Sequence, residues 1–404
     1  MPMATKPCYF GAFRDDPSVP ENAVQAPDQV FFRIGFPEIN IRILYTDLTA
    51  RSNMTGGCAT SVSRSEEPVH IFRGGMIGCG FFSQHHLEAW RRMPNVEITA
   101  ACDYDMERAR AAASHTYSSA EEMLDSEELD FVDIVTRSPS HLELISLAAK
   151  RKLPVICQKP MAPDWETARR MVEIAAMRRI PLMLHDNWRW QPWYRAAAAL
   201  IGGGRIGAPI GYQFRFRRRE GAGTEPYPKQ SYFRQLHRQI IDETLVHHID
   251  TARFLFGDIA SVYAEAARRN PRILGEDDAI LTLRHTNGVT GTIDGNRFLD
   301  FEDGPGTDEA CFEGESGSLR LSARCEIWSG REKIWTNEVA TGYRGDSVYA
   351  TQAHFINCLE TGRLPETNAR DYLEKTFAVV EAAYLSISER RSVETGEILA
   401  LARP

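Results

Sequence analysis

Gly75-Met-Ile-Gly78-Cys-Gly80-Phe-Phe-Ser83 constrains this chain more than any other stretch. An apolar run, Ile71 to Ile77, leads into it, and a helix-forming run, Ser83 to Arg92, leaves it. Gly78 permits a tight turn, and Gly80 lets the backbone approach a pyrophosphate at the helix N-terminus. A small third residue lets the helix pack close to the strand. Ser83 stands there in place of Gly or Ala. A glycine elbow alone is weak evidence of a nucleotide site. It gains weight here because Asp103 ends the next strand, Val96 to Cys102. An acidic side chain at that place accepts hydrogen bonds from an adenosine ribose and repels a 2′-phosphate, which favours NAD over NADP. Arg108 and Arg110 lie close by and keep NADP open.

Further apolar runs at Phe131 to Val135, Val155 to Cys157 and Pro181 to Leu184 alternate with helical stretches at His141 to Arg151 and after the capping residue Asp164. Strands spaced by helices of this length imply a parallel sheet covered on both faces. After His185 the pattern changes. Ile210 to Arg217, Val262 to Arg268, Ile280 to Arg284 and Val289 to Asp294 favour antiparallel strands. Asn287-Gly288 sits between two of them as a hairpin turn, and Glu309 to Glu313 and Leu319 to Ser322 form another pair. The expected fold is α/β: a Rossmann dinucleotide-binding domain over residues 68–184, joined by a C-terminal helix over 368–390. An α+β substrate-binding and oligomerisation domain with a mostly antiparallel sheet follows over 185–365. Residues 1–67, broken by proline and rich in Ser, Thr and Gly toward their end, read as an extension outside the fold.

Two segments carry candidate chemistry. Lys159 follows the strand Val155-Ile-Cys-Gln158, and Pro160 biases its backbone toward an extended form. The C-terminal end of such a strand faces the cofactor crevice. Taking hydride from an alcohol carbon also requires a base for the hydroxyl proton and a group that stabilises developing oxygen charge. Asp242-Glu243-Thr-Leu-Val-His247-His248-Ile-Asp250 supplies the second piece. Glu243 and His247 are spaced to share a helical face, so the carboxylate can orient the imidazole. A metal held by His247, His248 and Asp250 is the rival, disfavoured because adjacent histidines point apart on a helix. His85-His86 meet the same objection and read as helix surface or cofactor cover. No metal is expected. Arg189, Trp190 and Gln191 follow a strand end near the crevice.

The net charge of −8 argues against nucleic-acid or anionic-membrane affinity. The eight cysteines are scattered without a C-x-x-C pair, the usage of a reducing compartment. No apolar run reaches membrane-spanning length. A cytoplasmic enzyme without nucleic-acid or membrane partners is the expectation.

Together these residues resemble the glucose–fructose oxidoreductase / inositol dehydrogenase (Gfo/Idh/MocA) family from about His70 to near the C-terminus. Lys159-Pro160 match the last two positions of its E-K-P tripeptide, with Gln158 in place of the glutamate. Glu243 and His247 match its D-x-x-x-H helix, with Asp242 as a stand-in should the register slip by one. Thr136, Ser138-Pro139-Ser140 and His141 resemble its T-P-x-x-H cofactor loop. Gly78-Cys-Gly-Phe-Phe, Ile156-Cys-Gln-Lys-Pro, Asn187-Trp-Arg189-Trp190-Gln191 and Gly275-Glu-Asp-Asp are similar to a D-apiose-dehydrogenase-like branch of it. The resemblance implies that Gly78, Gly80, Phe81, Phe82, Asp103, Thr136, His141, Gln158 and Lys159 bind NAD or NADP. It implies Lys159, His247 and Glu243 as catalytic residues, and Arg189, Trp190, Asp242 and His247 at the sugar. The implied reaction oxidises an aldose at its anomeric carbon to a lactone in a homodimer or homotetramer. A catalytically silent NAD(P)-binding sensor, a dihydrodiol or imine reductase, and a redox-recycling glycosidase on the same scaffold stay open.

Overall fold

Strands made of near-continuous apolar residues bury both faces, and the first half of the fold follows from that. The computed structural model describes residues 70–301 and 308–401; the expected extension over 1–67 lies outside them. The chain runs through β1 (Phe72–Ile77), α1 (Ser83–Arg91), β2 (Val96–Cys102), α2 (Met106–Ala112), β3 (His115–Tyr117) and α3 (Ala120–Ser126). It continues through β4 (Phe131–Ile134), α4 (His141–Lys150), β5 (Val155–Gln158), α5 (Trp165–Arg178) and β6 (Leu182–His185). Every residue of β4, β5 and β6 is buried, as a sheet with helices on both faces requires. The six strands are parallel, in the order β3-β2-β1-β4-β5-β6. Chain direction across the sheet reverses between β1 and β4, so the crevice beyond their C-terminal ends is the switch point where a ligand fits. Local chemistry sets the helix ends. The Asp164 carboxylate accepts from Thr167 N at 2.8 Å to start α5, satisfying one otherwise orphaned N–H.

The second half continues with α6 (Pro192–Gly202), β7 (Pro209–Arg217), α7 (Val246–Phe256), β8 (Ile259–Ala267), β9 (Asp278–His285) and β10 (Thr290–Asn296). After these come β11 (Glu309–Gly314), β12 (Gly317–Leu321), β13 (Glu326–Ser329) and β14 (Glu332–Thr336). The described chain closes with α8 (Ser347–Thr361), α9 (Ala369–Asp371), α10 (Ala378–Glu389), β15 (Val393–Glu394) and α11 (Thr395–Leu401). A nine-stranded sheet forms in the order β14-β13-β12-β11-β7-β10-β9-β8-β15. All its pairs are antiparallel except β7 with β10. Alternation decides its faces. Ala279, Leu281 and Leu283 of β9 point into the core, while Ile280, Thr282 and Arg284 point out. Asn287-Gly288 turns β9 into β10, with Gly288 at φ 91°.

The helix expected to join the Rossmann half over 368–390 divides its contacts. Its first part meets the sheet edge, where Leu184 N donates to Thr367 O at 2.9 Å and Phe377 stacks on Trp165. Its second part, α10, lies on the nine-stranded sheet, where Ser386 Oγ accepts from Ala264 N at 3.0 Å. Helix α8 also packs on the Rossmann half. Its Phe355 and Ile356 share a buried cluster with Trp90 and Phe131. The apolar stripe over 373–387 shows that a face is buried, and spacing alone does not say against what.

Candidate active site

At the switch point, Gly78 has φ +92°, and a Cβ there would lie 2.7 Å from Thr136 Cγ2 and 2.9 Å from Val135 O. Backbone and packing both demand glycine. Gly80 differs: a Cβ there would meet nothing within 4 Å. The protein itself leaves that space open, as an approaching pyrophosphate needs. Ser83 Oγ donates to Gly80 O at 2.7 Å, so the serine at the third elbow position holds the turn. Helix α1 starts with no side-chain cap and no acid in its first turn, which leaves N–H groups for an anion. Asp103 ends β2 and accepts from Cys79 N at 2.7 Å and Asp105 N at 2.9 Å. Arg108 and Arg110 are paired with Asp105 and Glu107. These residues fit an NAD-type cofactor. Phe81 is exposed beside the elbow, and Phe82 packs edge-on against His86 and Tyr343.

The two glycines predict opposite outcomes. Gly78→Ala should lower stability by about 1–3 kcal/mol through strain, seen as a lower melting temperature. Gly80→Val should leave melting nearly unchanged while weakening NAD binding about tenfold or more, measured by fluorescence titration.

His141 does not face the crevice. It is buried, with Nδ1 3.1 Å from Met161 O and Nε2 3.2 Å from Thr136 O. The neutral ring has one N–H to give, to one of these two carbonyls, so it braces the backbone around Thr136 and Met161 and is corrected from cofactor ligand to support. Gln158 Oε1 accepts from Lys159 N at 2.8 Å.

Lys159 reaches across from β5 to the start of α7, joined to Pro160 by a cis peptide. Its Nζ donates to Glu243 O at 2.6 Å and to Glu243 Oε2 at 2.9 Å. Both side chains are largely shielded, 15% and 10% exposed, so screening is modest and the pair is held in place. The expectation that Glu243 orients His247 is therefore wrong. Ile241–Leu245 forms a π-helical turn, whose extra residue rotates Glu243 away from the face of His247. The ammonium then claims the carboxylate.

Asp186, directly after β6, takes the imidazole. His247 Nδ1 donates to Asp186 Oδ1 at 2.6 Å, and Tyr372 Oη donates to Asp186 Oδ2 at 2.9 Å. Trp188 stacks on the His247 ring at 4.5 Å. Burial pushes the imidazole down to about 4 and Lys159 pushes the same way, against the pull of Asp186. Burial by itself would raise Asp186, but His247, Tyr372 and Arg189 hold it below the usual carboxylate range. The result is a neutral imidazole with its proton fixed on Nδ1 and Nε2 free of any hydrogen bond to the described residues. Asp242 does not partner His247 either. It is buried, and burial pushes its carboxyl up to about 7 despite Arg238 nearby. A carboxylate at the C-terminal end of a parallel strand was the signal for Asp186.

Buried neutral histidines make stability depend on pH. His141, His185 and His247 are all held below the ordinary value by burial. The unfolded chain takes up protons near 6.5 that the fold refuses, so this contribution is complete above 6.5 and is lost as pH falls toward about 4. Thermal melts should show a falling melting temperature over that window, with a smaller fall in His247→Gln.

Arg189 is also corrected. Its guanidinium is buried, with Nε and Nη2 each 2.7 Å from an Asp250 oxygen. A bidentate buried pair leaves it no reach for a sugar. Trp190 turns the same way, against Arg195 and His354. His248 faces Asp308 at 3.6 Å, so His247, His248 and Asp250 diverge. Among the described residues no group of three or more His, Cys, Asp or Glu is arranged to hold a metal.

Comparison with known proteins gives the family. Residues 72–185 match the model of an oxidoreductase family with an NAD-binding Rossmann fold, and 194–320 match the GFO/IDH/MocA C-terminal domain. The chain belongs to the Gfo/Idh/MocA oxidoreductase family. It is 39% identical over 352 residues to D-apiose dehydrogenase of Paraburkholderia graminis, covering 82% of this chain and 92% of that protein. The D-apiose dehydrogenase of Rhizobium rhizogenes is 34% identical over 350 residues, covering 81% and 98%. An Agrobacterium radiobacter oxidoreductase, solved in complex with NAD+, L-tartaric acid and magnesium, superposes with a TM-score of 0.75 at 34% identity, covering 81% and 99%. This Gfo/Idh/MocA protein is an NAD(P)-dependent dehydrogenase. No helix among its described residues is long and apolar enough to cross a membrane.

Proposed function

We propose that this enzyme oxidises an aldose of the apiose type at its anomeric carbon, giving the lactone and NADH. The observation that carries the reading is the Lys159 ammonium held on Glu243, four residues before the neutral, Asp186-held His247, in a fold whose glycine elbow leaves space for a dinucleotide. Similarity to two D-apiose dehydrogenases supports the choice of sugar. When bound, the nicotinamide supplies a hydride acceptor. His247 Nε2 accepts the hydroxyl proton while the C–H electron pair leaves as hydride, and the C–O bond becomes a carbonyl. Lys159 stabilises the charge developing on that oxygen. Asp242, buried with one carboxyl oxygen that has no partner among the described residues, is the candidate to receive a sugar hydroxyl. Asp103 and the paired Arg108 and Arg110 favour NAD over NADP. The open face of the nine-stranded sheet, with Ile210, Tyr263 and Ile280 exposed, supports a homodimer or homotetramer, and scattered thiols support the cytoplasm.

The test is nicotinamide reduction followed by absorbance, with NAD and NADP offered separately against apiose, xylose, erythrose, arabinose, galactose, sugar acids and myo-inositol. Reduction of NAD by one aldose, with lactone formed in equal amount, is the expected result. Bound NAD with no reduction by any sugar would overturn the reading in favour of a cofactor-binding sensor.

A further inference from the structure

His86 of α1, read from sequence as helix surface or cofactor cover, is fully buried with both ring nitrogens engaged. Nδ1 lies 2.8 Å from Asp133 Oδ2, which also accepts the Trp90 indole N–H at 2.7 Å. Nε2 lies 3.0 Å from Gln158 Nε2, and Gln158 Oε1 lies 2.8 Å from Lys159 N. The donor and acceptor roles along this line are forced. A peptide N–H only donates, so the Gln158 atom beside Lys159 is oxygen and the one beside His86 is the amide nitrogen. That NH2 donates, so His86 Nε2 carries a lone pair. The ring proton then sits on Nδ1 and goes to Asp133. The order holds without a free choice from Trp90 and Asp133 to the peptide of Lys159.

A glutamate at 158, which the E-K-P tripeptide carries, breaks this order, because a carboxylate oxygen would face the bare lone pair of His86 Nε2. We propose that His86 and Gln158 are a matched pair of positioning residues. Asp133 fixes the imidazole, the imidazole fixes the Gln158 amide, and the amide fixes the peptide that carries Lys159. Its functional consequence rests on the reading of Lys159 as part of the reacting site; the pairing itself does not. The pair explains why glutamine replaces glutamate here without disturbing the lysine beside it.

The groups facing His86 decide what Gln158→Glu does. Asp133 comes from β4, residue 158 from β5, and His185 from β6 with its ring 4.1 Å away. His85 adjoins it on α1, and Gln352 of α8 donates to its backbone O at 3.4 Å. Burial keeps His185 neutral. In Gln158→Glu, His86 then sits between two carboxylates and must take a second proton to satisfy both. Below its new titration point the lysine peptide stays in place. As pH rises through that point Nε2 loses its proton, the two lone pairs oppose each other, and turnover falls.

Two measurements on the full chain test this. The first is long-range proton–nitrogen NMR of ring-labelled wild-type protein with NAD, the His86 signal being identified by its absence in His86→Gln. A ring that carries its proton on Nδ1 and a lone pair on Nε2 is expected. A ring protonated on Nε2, or a cation, overturns the proposal. The second is the pH profile of kcat in Gln158→Glu and Gln158→Met. The glutamate variant should lose about tenfold or more in kcat above its new titration point, a limb absent from the wild type, with KM for NAD little changed. The methionine variant should be low throughout. A flat, wild-type profile for the glutamate variant also overturns the pairing. If that variant does not fold, the NMR result decides. If the wild type oxidises no sugar, the functional reading fails while the ring measurement still tests the pair.

Discussion

Lys159→Met should lower NAD-linked turnover by about 10²–10⁴-fold while leaving NAD affinity within about threefold. Methionine keeps the apolar stem and removes only the ammonium that spans Glu243 O at 2.6 Å and Oε2 at 2.9 Å. The elbow at Gly78 and Gly80 and the Asp103 contacts are untouched, so the cofactor still binds. The Glu243 carboxylate loses its partner in a shielded place, and the melting temperature should fall as well. Turnover under substrate saturation, NAD titration and a thermal melt separate these effects. A variant that turns over at the wild-type rate would remove Lys159 from the chemistry.

Asp186→Asn should cost about 10²–10⁴-fold in kcat with the fold intact, because the imidazole loses the partner that sets its tautomer. Asp186 now holds the proton on Nδ1 of His247 at 2.6 Å. An asparagine at that place can present its NH2 to Nδ1, which moves the proton to Nε2 and occupies the position that must accept the hydroxyl proton. Tyr372→Phe removes only the second contact to Asp186 and should cost about tenfold or less. Glu243→Gln is the decisive control. It disturbs the lysine but leaves the His247–Asp186 bond alone, so the ring-nitrogen NMR signal of His247 should shift in Asp186→Asn and stay put in Glu243→Gln. The reverse pattern would restore Glu243 as the group that orients the imidazole.

The elements that position the site were legible because they rest on local physics. Apolar runs of strand length, the glycine elbow after Ile77, the Asp164 cap and the Asn287-Gly288 turn each express a preference of a few neighbouring residues, and the structure has them in place. Lys159 at a strand end and His247 on a helix were visible for the same reason. Their partners were not. The ion pair of Arg189 with Asp250, the clamp of His86 on Asp133 and the bond of His247 to Asp186 join strands and helices distant in the chain. Helical spacing offered Glu243 to His247, and a single π turn cancelled the offer.

The sequence by itself determined which residues form strands, where the dinucleotide elbow lies, and that a lysine and a histidine stand near it. Only the tertiary structure decided which carboxylate serves which of them. A charged group chooses its partner by distance and burial in the folded molecule, and neither is set by separation along the chain.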